Sequence, residues 1–245
     1  MRILFIIFLF QASCASSGPS SEDLATVHFR VGTSHLEKGN SPDALRELLQ
    51  AEALNPKDPL IHNNLGLAYF MRERFELSES HLKKAVSLNS EFTDAKNNLA
   101  RVLIERGNYK EAREYLDQVL ADLTYPQPGK AYINYGLSYF REQKYTESRE
   151  AFLKAISFER ENCLAQNYYG RSLLELKELT KAIQTLDKAS GYCLKVNFDE
   201  PIYFSAMAYF RMGDRIKAQA RLETLIQKNS PYKDKAETML EILRK

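Results

Sequence analysis

One pattern of small and large apolar positions runs through most of the chain. A small residue recurs at Gly32, Gly66, Ala100, Gly136, Gly170 and Ala206, at spacings of 34, 34, 36, 34 and 36 residues. Three positions after each stands a ring or Leu: His35, Tyr69, Leu103, Tyr139, Leu173 and Tyr209. Twelve positions after each lies another small residue: Ala44, Ser78, Ala112, Ser148, Ala182 and Ala218. A large apolar residue follows four later, at Leu48, Leu82, Leu116, Phe152, Leu186 and Leu222. Intervals of three and four place side chains on one face of a helix. Each unit is therefore predicted to be two antiparallel helices, with small residues letting the second approach the first. Turn signals fall where the reversal belongs: "EKGNSPD" at 37–43, "ERGNYK" at 105–110 and "MGDR" at 212–215. Ser41-Pro42 reads as a helix N-cap followed by proline at the first helical position.

A single helix pair cannot bury its own apolar face, so successive pairs stack. The register resembles the tetratricopeptide repeat. That resemblance implies an all-α fold: a right-handed superhelix, or α-solenoid, of six helix-turn-helix repeats over residues 25–232. The two longer spacings are two-residue insertions, at "TYPQPG" (124–129) and near "KVNFDEP" (195–201). Residues 233–245 carry Ala236, Met239, Leu240 and Ile242 among charges, which suits a C-terminal capping helix.

The first residues obey another logic. Arg2 precedes an unbroken apolar run from Ile3 to Phe10, followed by small residues. This is the layout of an export signal, expected over residues 1–13 and too short to span a bilayer. Ala12-Ser13-Cys14 resembles the lipobox of bacterial lipoproteins, which implies a lipidated Cys14. Gln11 stands where that motif usually has an aliphatic residue, and ordinary secretion after Ala12 or Ala15 is the alternative. Residues 14–24 then form a flexible tether. Within it the seven residues "ASSGPSS" (15–21) reach roughly 25 Å when extended.

Composition narrows the function. A net charge of +2 gives no footprint for nucleic acid. No Gly-rich phosphate loop, "HExxH" or nucleophile elbow occurs, and no acid/base couple stands apart from the repeats. His28, His35 and His62 occupy packing slots, and His81 stands alone on a second helix. The expectation is a binding protein, not an enzyme, with no cofactor, metal or small-molecule substrate. Cys163 opens the fifth repeat and Cys193 closes it, so a disulfide would staple that hairpin at its open end. Two unrelated free thiols are the alternative.

The first helices of such a solenoid line a concave face that usually binds a peptide or a helix. Helical spacing puts Phe29, Leu36, Asn63, Leu67, Phe70, Met71, Asn97, Arg101 and Ile104 on that face in the first three repeats. They are the expected partner-binding groove, with an apolar patch at Leu67, Phe70 and Met71. Asn64 and Asn98 are expected to bond between helices. Lys or Arg in several consecutive concave slots would mark a carboxylate clamp, and Arg101 alone does not make one.

Six repeats, the lipobox, "HNNLG" (62–66), "NNLA" (97–100) and the Cys163/Cys193 placement together resemble the PilF/PilW/Tgl family. Those are outer-membrane lipoproteins of type IV pilus biogenesis. The resemblance implies a pilotin: a palmitate-bearing, monomeric protein on the periplasmic face of the outer membrane. It would bind the secretin subunit and promote its localisation and assembly into a multimer. A periplasmic scaffold lipoprotein that organises cell-envelope enzymes is the alternative, as is an unlipidated adaptor.

Overall fold

The computed structural model describes residues 20–244. The expected signal peptide, the expected lipidation site Cys14 and most of the expected tether lie outside them. Among the described residues the chain forms thirteen α-helices and a 3-10 turn. Six antiparallel pairs follow in order: α1 (Ser21–Glu37) with α2 (Ser41–Leu54), α3 (Pro59–Met71) with α4 (Phe75–Leu88), α5 (Thr93–Glu105) with α6 (Tyr109–Ala121). Then come α7 (Pro128–Arg141) with α8 (Tyr145–Phe158), α9 (Cys163–Glu175) with α10 (Leu179–Cys193), and α11 (Glu200–Met212) with α12 (Arg215–Gln227). A last helix, α13 (Lys233–Arg244), packs on α12. None of these helices is long and apolar enough to cross a membrane.

The small slots do what their spacing requires. A Cβ on Gly66 would stand 2.5 Å from Leu82 Cγ, and one on Gly136 would stand 2.6 Å from the Phe152 ring. In the four repeats with glycine in this slot, the large residue of the second helix therefore seats directly on first-helix backbone. Ser78 and Ser148 lock the same crossing by donating to the carbonyls of Gly66 (2.7 Å) and Gly136 (3.0 Å). Leu48, Leu82, Leu116, Phe152, Leu186 and Leu222 are all fully buried.

Each pair turns through the same backbone device. The residue at the reversal has positive φ in all six: Gly39, Glu73, Gly107, Gln143, Lys177 and Gly213. The next amide then reaches back to a first-helix carbonyl, as Arg74 does to Tyr69 (3.0 Å) and Lys144 to Tyr139 (2.9 Å). This closes the helix C-terminus in a Schellman-like turn. Between repeats, "NPKDP" ends with Pro59 opening α3, capped by Asp58. The first insertion spans the turn before α7, where Tyr125 tucks in and donates to Asp94 at 3.2 Å. The second holds the 3-10 turn Leu194–Val196 and left-handed Asn197.

Three details differ from the sequence reading. Asn40, not Ser41, caps α2, its side chain accepting from the Asp43 amide, and Ser41 is the first helical residue. Ser20 caps α1 in a capping box with Asp23, so residues 21–24 are helical instead of tether. In α13 the buried residues are Ala236, Met239, Leu240 and Leu243, while Ile242 points outward. The two ends of the solenoid also differ. At one end α13 covers α12. At the other, Leu24, Val27 and Val31 of α1 are exposed, because no described helix packs on the side where each later repeat meets its predecessor.

Candidate partner-binding surface

The first helices α1, α3, α5, α7, α9 and α11 neighbour one another in series and build one face. A polar ladder runs along it. Asn64 donates to Thr33 Oγ1 at 2.8 Å, and Asn63 donates to Asn64 at 3.1 Å. Asn98 donates to Asn63 Oδ1 at 2.9 Å, and Asn134 donates to Asn97 Oδ1 at 3.0 Å. Further on, Asn167 donates to Glu200 at 2.7 Å. These bonds fix the pitch between repeats, because buried amides are costly unless paired.

The ladder corrects the expected groove. Asn63 and Asn97 are nearly buried and their side chains are engaged by neighbouring repeats. Ile104 is fully buried in the central core, since α7 packs over its flank of α5. These three are spacers and core, not contact residues. Phe29 and Leu36 are half-buried against the first core cluster. Leu67 and Phe70 are also half-buried. Phe70 rests on Phe75, with Arg101 5.8 Å above its ring. Met71 is 45% exposed, and Leu60, which the sequence reading left out, is 47% exposed. Leu60, Leu67 and Met71 recur at intervals of seven and four on α3 and form one stripe. An apolar strip of this kind suits a helix or an extended apolar segment.

Beyond the second repeat the face is crossed by ion pairs. Glu105 holds both Arg101 (3.3 Å) and Arg141 (2.8 Å), and Glu175 meets Arg211 at 3.6 Å. Arg171 is bound by Glu200 at 3.0 Å and lies within 4.2–4.7 Å of the rings of Phe140, Tyr168 and Phe204. Its charge is matched and its faces are covered, so it acts as a pin between repeats four, five and six. Apolar surface is prominent again at the far end. There Tyr203, Met207, Phe210, Met239 and Ile242 line a cavity of about 370 Å³ between α11 and α13.

The structure joins Cys163 to Cys193, with Cα atoms 5.0 Å apart. It also brings together residues the sequence reading kept separate. His62 and His81 face each other across α3 and α4, with Nδ1 atoms 3.2 Å apart and Glu52 of α2 beside both. Burial lowers the pKa of His81, with His62 adding to the shift and Glu52 opposing it. The signal for this pairing was present. His28 and Glu47, in the same two slots one repeat earlier, meet at 2.8 Å.

The fold and the site define a tetratricopeptide-repeat protein. Three repeat models match it, two described as Tetratricopeptide repeat (residues 97–162 and 69–124) and one as TPR repeat (32–72). The chain is also a relative of the Type IV pilus assembly protein PilF of Pseudomonas aeruginosa. It is 23% identical to PilF over 229 residues, covering 79% of this chain and 91% of that one. Among solved structures it resembles PilW, described as a widely conserved type IV pilus biogenesis factor. The TM-score is 0.80 at 18% identity, over 88% of this chain and 98% of that one. The Pseudomonas aeruginosa PilF structure matches with a TM-score of 0.74 at 20% identity, over 90% and 99%.

Proposed function

We propose that the protein is a pilotin of type IV pilus biogenesis, which binds the secretin subunit and promotes its delivery to and assembly in the outer membrane. The observation that carries this reading is the likeness to PilF over 79% of this chain and 91% of PilF, and not over the repeats of a larger protein. The apolar strip of α3 supports it, since a binding protein for apolar segments needs one accessible surface of that kind. The mechanism is binding without chemistry. Leu60, Leu67 and Met71 would take an apolar secretin segment, with Leu36 and Phe70 at the edges, and shield it from aggregation until it reaches the bilayer. Lipid on Cys14 would keep the complex at the periplasmic face of the outer membrane. More than one acyl chain is needed for stable anchoring.

The test is a deletion of the gene in the source organism, followed by blotting of outer-membrane fractions for secretin multimers. Loss of multimers, restored by the wild-type gene and not by Cys14→Ser, is the expected result. Unchanged multimers in the deletion strain would end the proposal. Labelling with radioactive palmitate, present in wild type and absent in Cys14→Ser, tests the anchor by itself.

A further inference from the structure

We propose that Glu52, His62 and His81 form a site for a divalent transition-metal ion of the zinc class, which ties the second helix of repeat one to both helices of repeat two. Glu52 comes from α2, His62 from α3 and His81 from α4. One ligand atom from each lies within 4.8 Å of the others. The two imidazole Nδ1 atoms are 3.2 Å apart, and Glu52 Oε1 is 3.6 Å from one and 3.8 Å from the other. Ligands about 2.0–2.1 Å from a tetrahedral ion stand about 3.3 Å from one another. The triangle therefore needs only a small contraction to close on an ion.

Three further observations suit this cluster to a metal ion. First, His62 Nε2 lies 2.8 Å from the Pro56 carbonyl. A carbonyl only accepts, so the ring proton sits on Nε2 and the Nδ1 lone pair is left facing the cluster. Metal-binding histidines have their tautomer set by this kind of outer partner. Second, the same two slots in repeat one hold a direct His28–Glu47 contact at 2.8 Å, whereas Glu52 stands off both imidazoles at a distance too long for a hydrogen bond. Third, Glu52 occupies a slot that is Val86, Leu120, Ile156 and Ile226 in four other repeats. The fifth repeat has Ser190 there, so Glu52 is the one carboxylate in a slot that is aliphatic in four of the other five repeats, and it stands beside two imidazoles, as a metal site requires.

The site opens on a depression of about 500 Å³ that reaches Ser80 and Ser87, so an ion can enter and water can fill the fourth position. The nearby Lys83 ammonium is neutralised by Glu79 (2.7 Å) and Glu111 (3.2 Å). Two imidazoles and a carboxylate suit zinc and its neighbours in preference to calcium or magnesium. With the ion bound, the role is structural: three helices of the partner-binding end are held in one register.

The test uses the full-length chain in detergent, without an affinity tag and with Cys14→Ser to remove a competing thiol. After chelator treatment, Zn²⁺ is titrated and bound metal is measured following gel filtration, and Co²⁺ is used as a spectroscopic probe. The expected result is one Zn²⁺ retained per chain, a visible Co²⁺ spectrum of a four-coordinate site, and a rise in Tm with Zn²⁺. His81→Ala and Glu52→Gln each weaken binding at least about tenfold, while His35→Ala leaves it unchanged. Glu52→Gln keeps side-chain volume, so it decides the matter should His81→Ala fold poorly. The proposal is overturned if the starting chain retains no Zn²⁺, or if Glu52→Gln retains it as tightly as the starting chain.

Discussion

Asn98 donates its amide to Asn63 at 2.9 Å, joining the third repeat to the second across a span of 35 residues. Asn63 is nearly buried, so its oxygen has lost the water that would otherwise serve it. Asn63→Ala leaves the Asn98 amide unpaired, and a loss of about 1–3 kcal/mol in unfolding free energy is expected. Removing both partners with Asn98→Ala should cost less than the two single losses added together, because the pair is coupled. Denaturant unfolding of the two single variants and the double variant checks this.

The turn position with positive φ gives a prediction of opposite sign. Glu73, Gln143 and Lys177 hold φ of 57–62° where other repeats have glycine. A left-handed conformation costs a residue with a Cβ about 1–2 kcal/mol, part of which glycine returns as unfolded-chain entropy. Gln143→Gly should stabilise the chain by about 0.5–1 kcal/mol. Gly107→Ala should lose about 1 kcal/mol, although its Cβ would meet nothing within 4 Å. Thermal unfolding of the two variants reads both signs.

Much of this architecture was legible in the sequence. The slots at Gly66 and Leu82, or Gly136 and Phe152, fix both helix pairing and close approach, because a period can be counted. The disulfide was legible for the same reason, since Cys163 and Cys193 bound one repeat. Contact surface was less so. A stripe at helical spacing says which residues share a face, and not how far the next helix covers it. Ile104 and Asn97 were lost to α7 in this way, while Leu60 stayed open. The Glu52–His62–His81 cluster spans two repeats, so no single unit announces it. The His28–Glu47 slots are its one sequence-level precedent.

The disulfide closes a loop of 30 residues at the open end of the fifth hairpin. A loop of that length contributes about 3–4 kcal/mol by restricting the unfolded chain. Replacing both cysteines, Cys163→Ser with Cys193→Ser, should lower unfolding free energy by about that amount. Unfolding in the presence of reductant should bring the wild type down to the level of the double variant.

Stability should fall at both extremes of pH. Burial raises the pKa of Glu79, but hydrogen bonds and charge from Lys83 and Arg106 outweigh it, so the net shift is downward. A carboxylate with a lowered folded pKa adds stability above its unfolded value, about 4.3, and this is lost as pH falls through the folded value. Glu79→Gln should flatten that acid limb. Burial and a carboxylate neighbour hold Tyr125 (Asp94) and Tyr135 (Asp117) well above the usual phenol range. Their contribution is complete below about pH 10 and is lost as pH rises further. Tyr135→Phe should reduce the alkaline loss.

The account rests on the apolar strip of α3 being a surface for another polypeptide. The direct measurement is the affinity of the full-length chain in detergent for the purified secretin subunit, compared among the wild type, one double and one single charge insertion on exposed residues. Leu60→Glu with Met71→Glu changes the strip without touching the core, and Leu153→Glu, on the second-helix side, is the control. The account predicts at least tenfold weaker binding for the first and wild-type affinity for the second. Equal binding by all three proteins would contradict it.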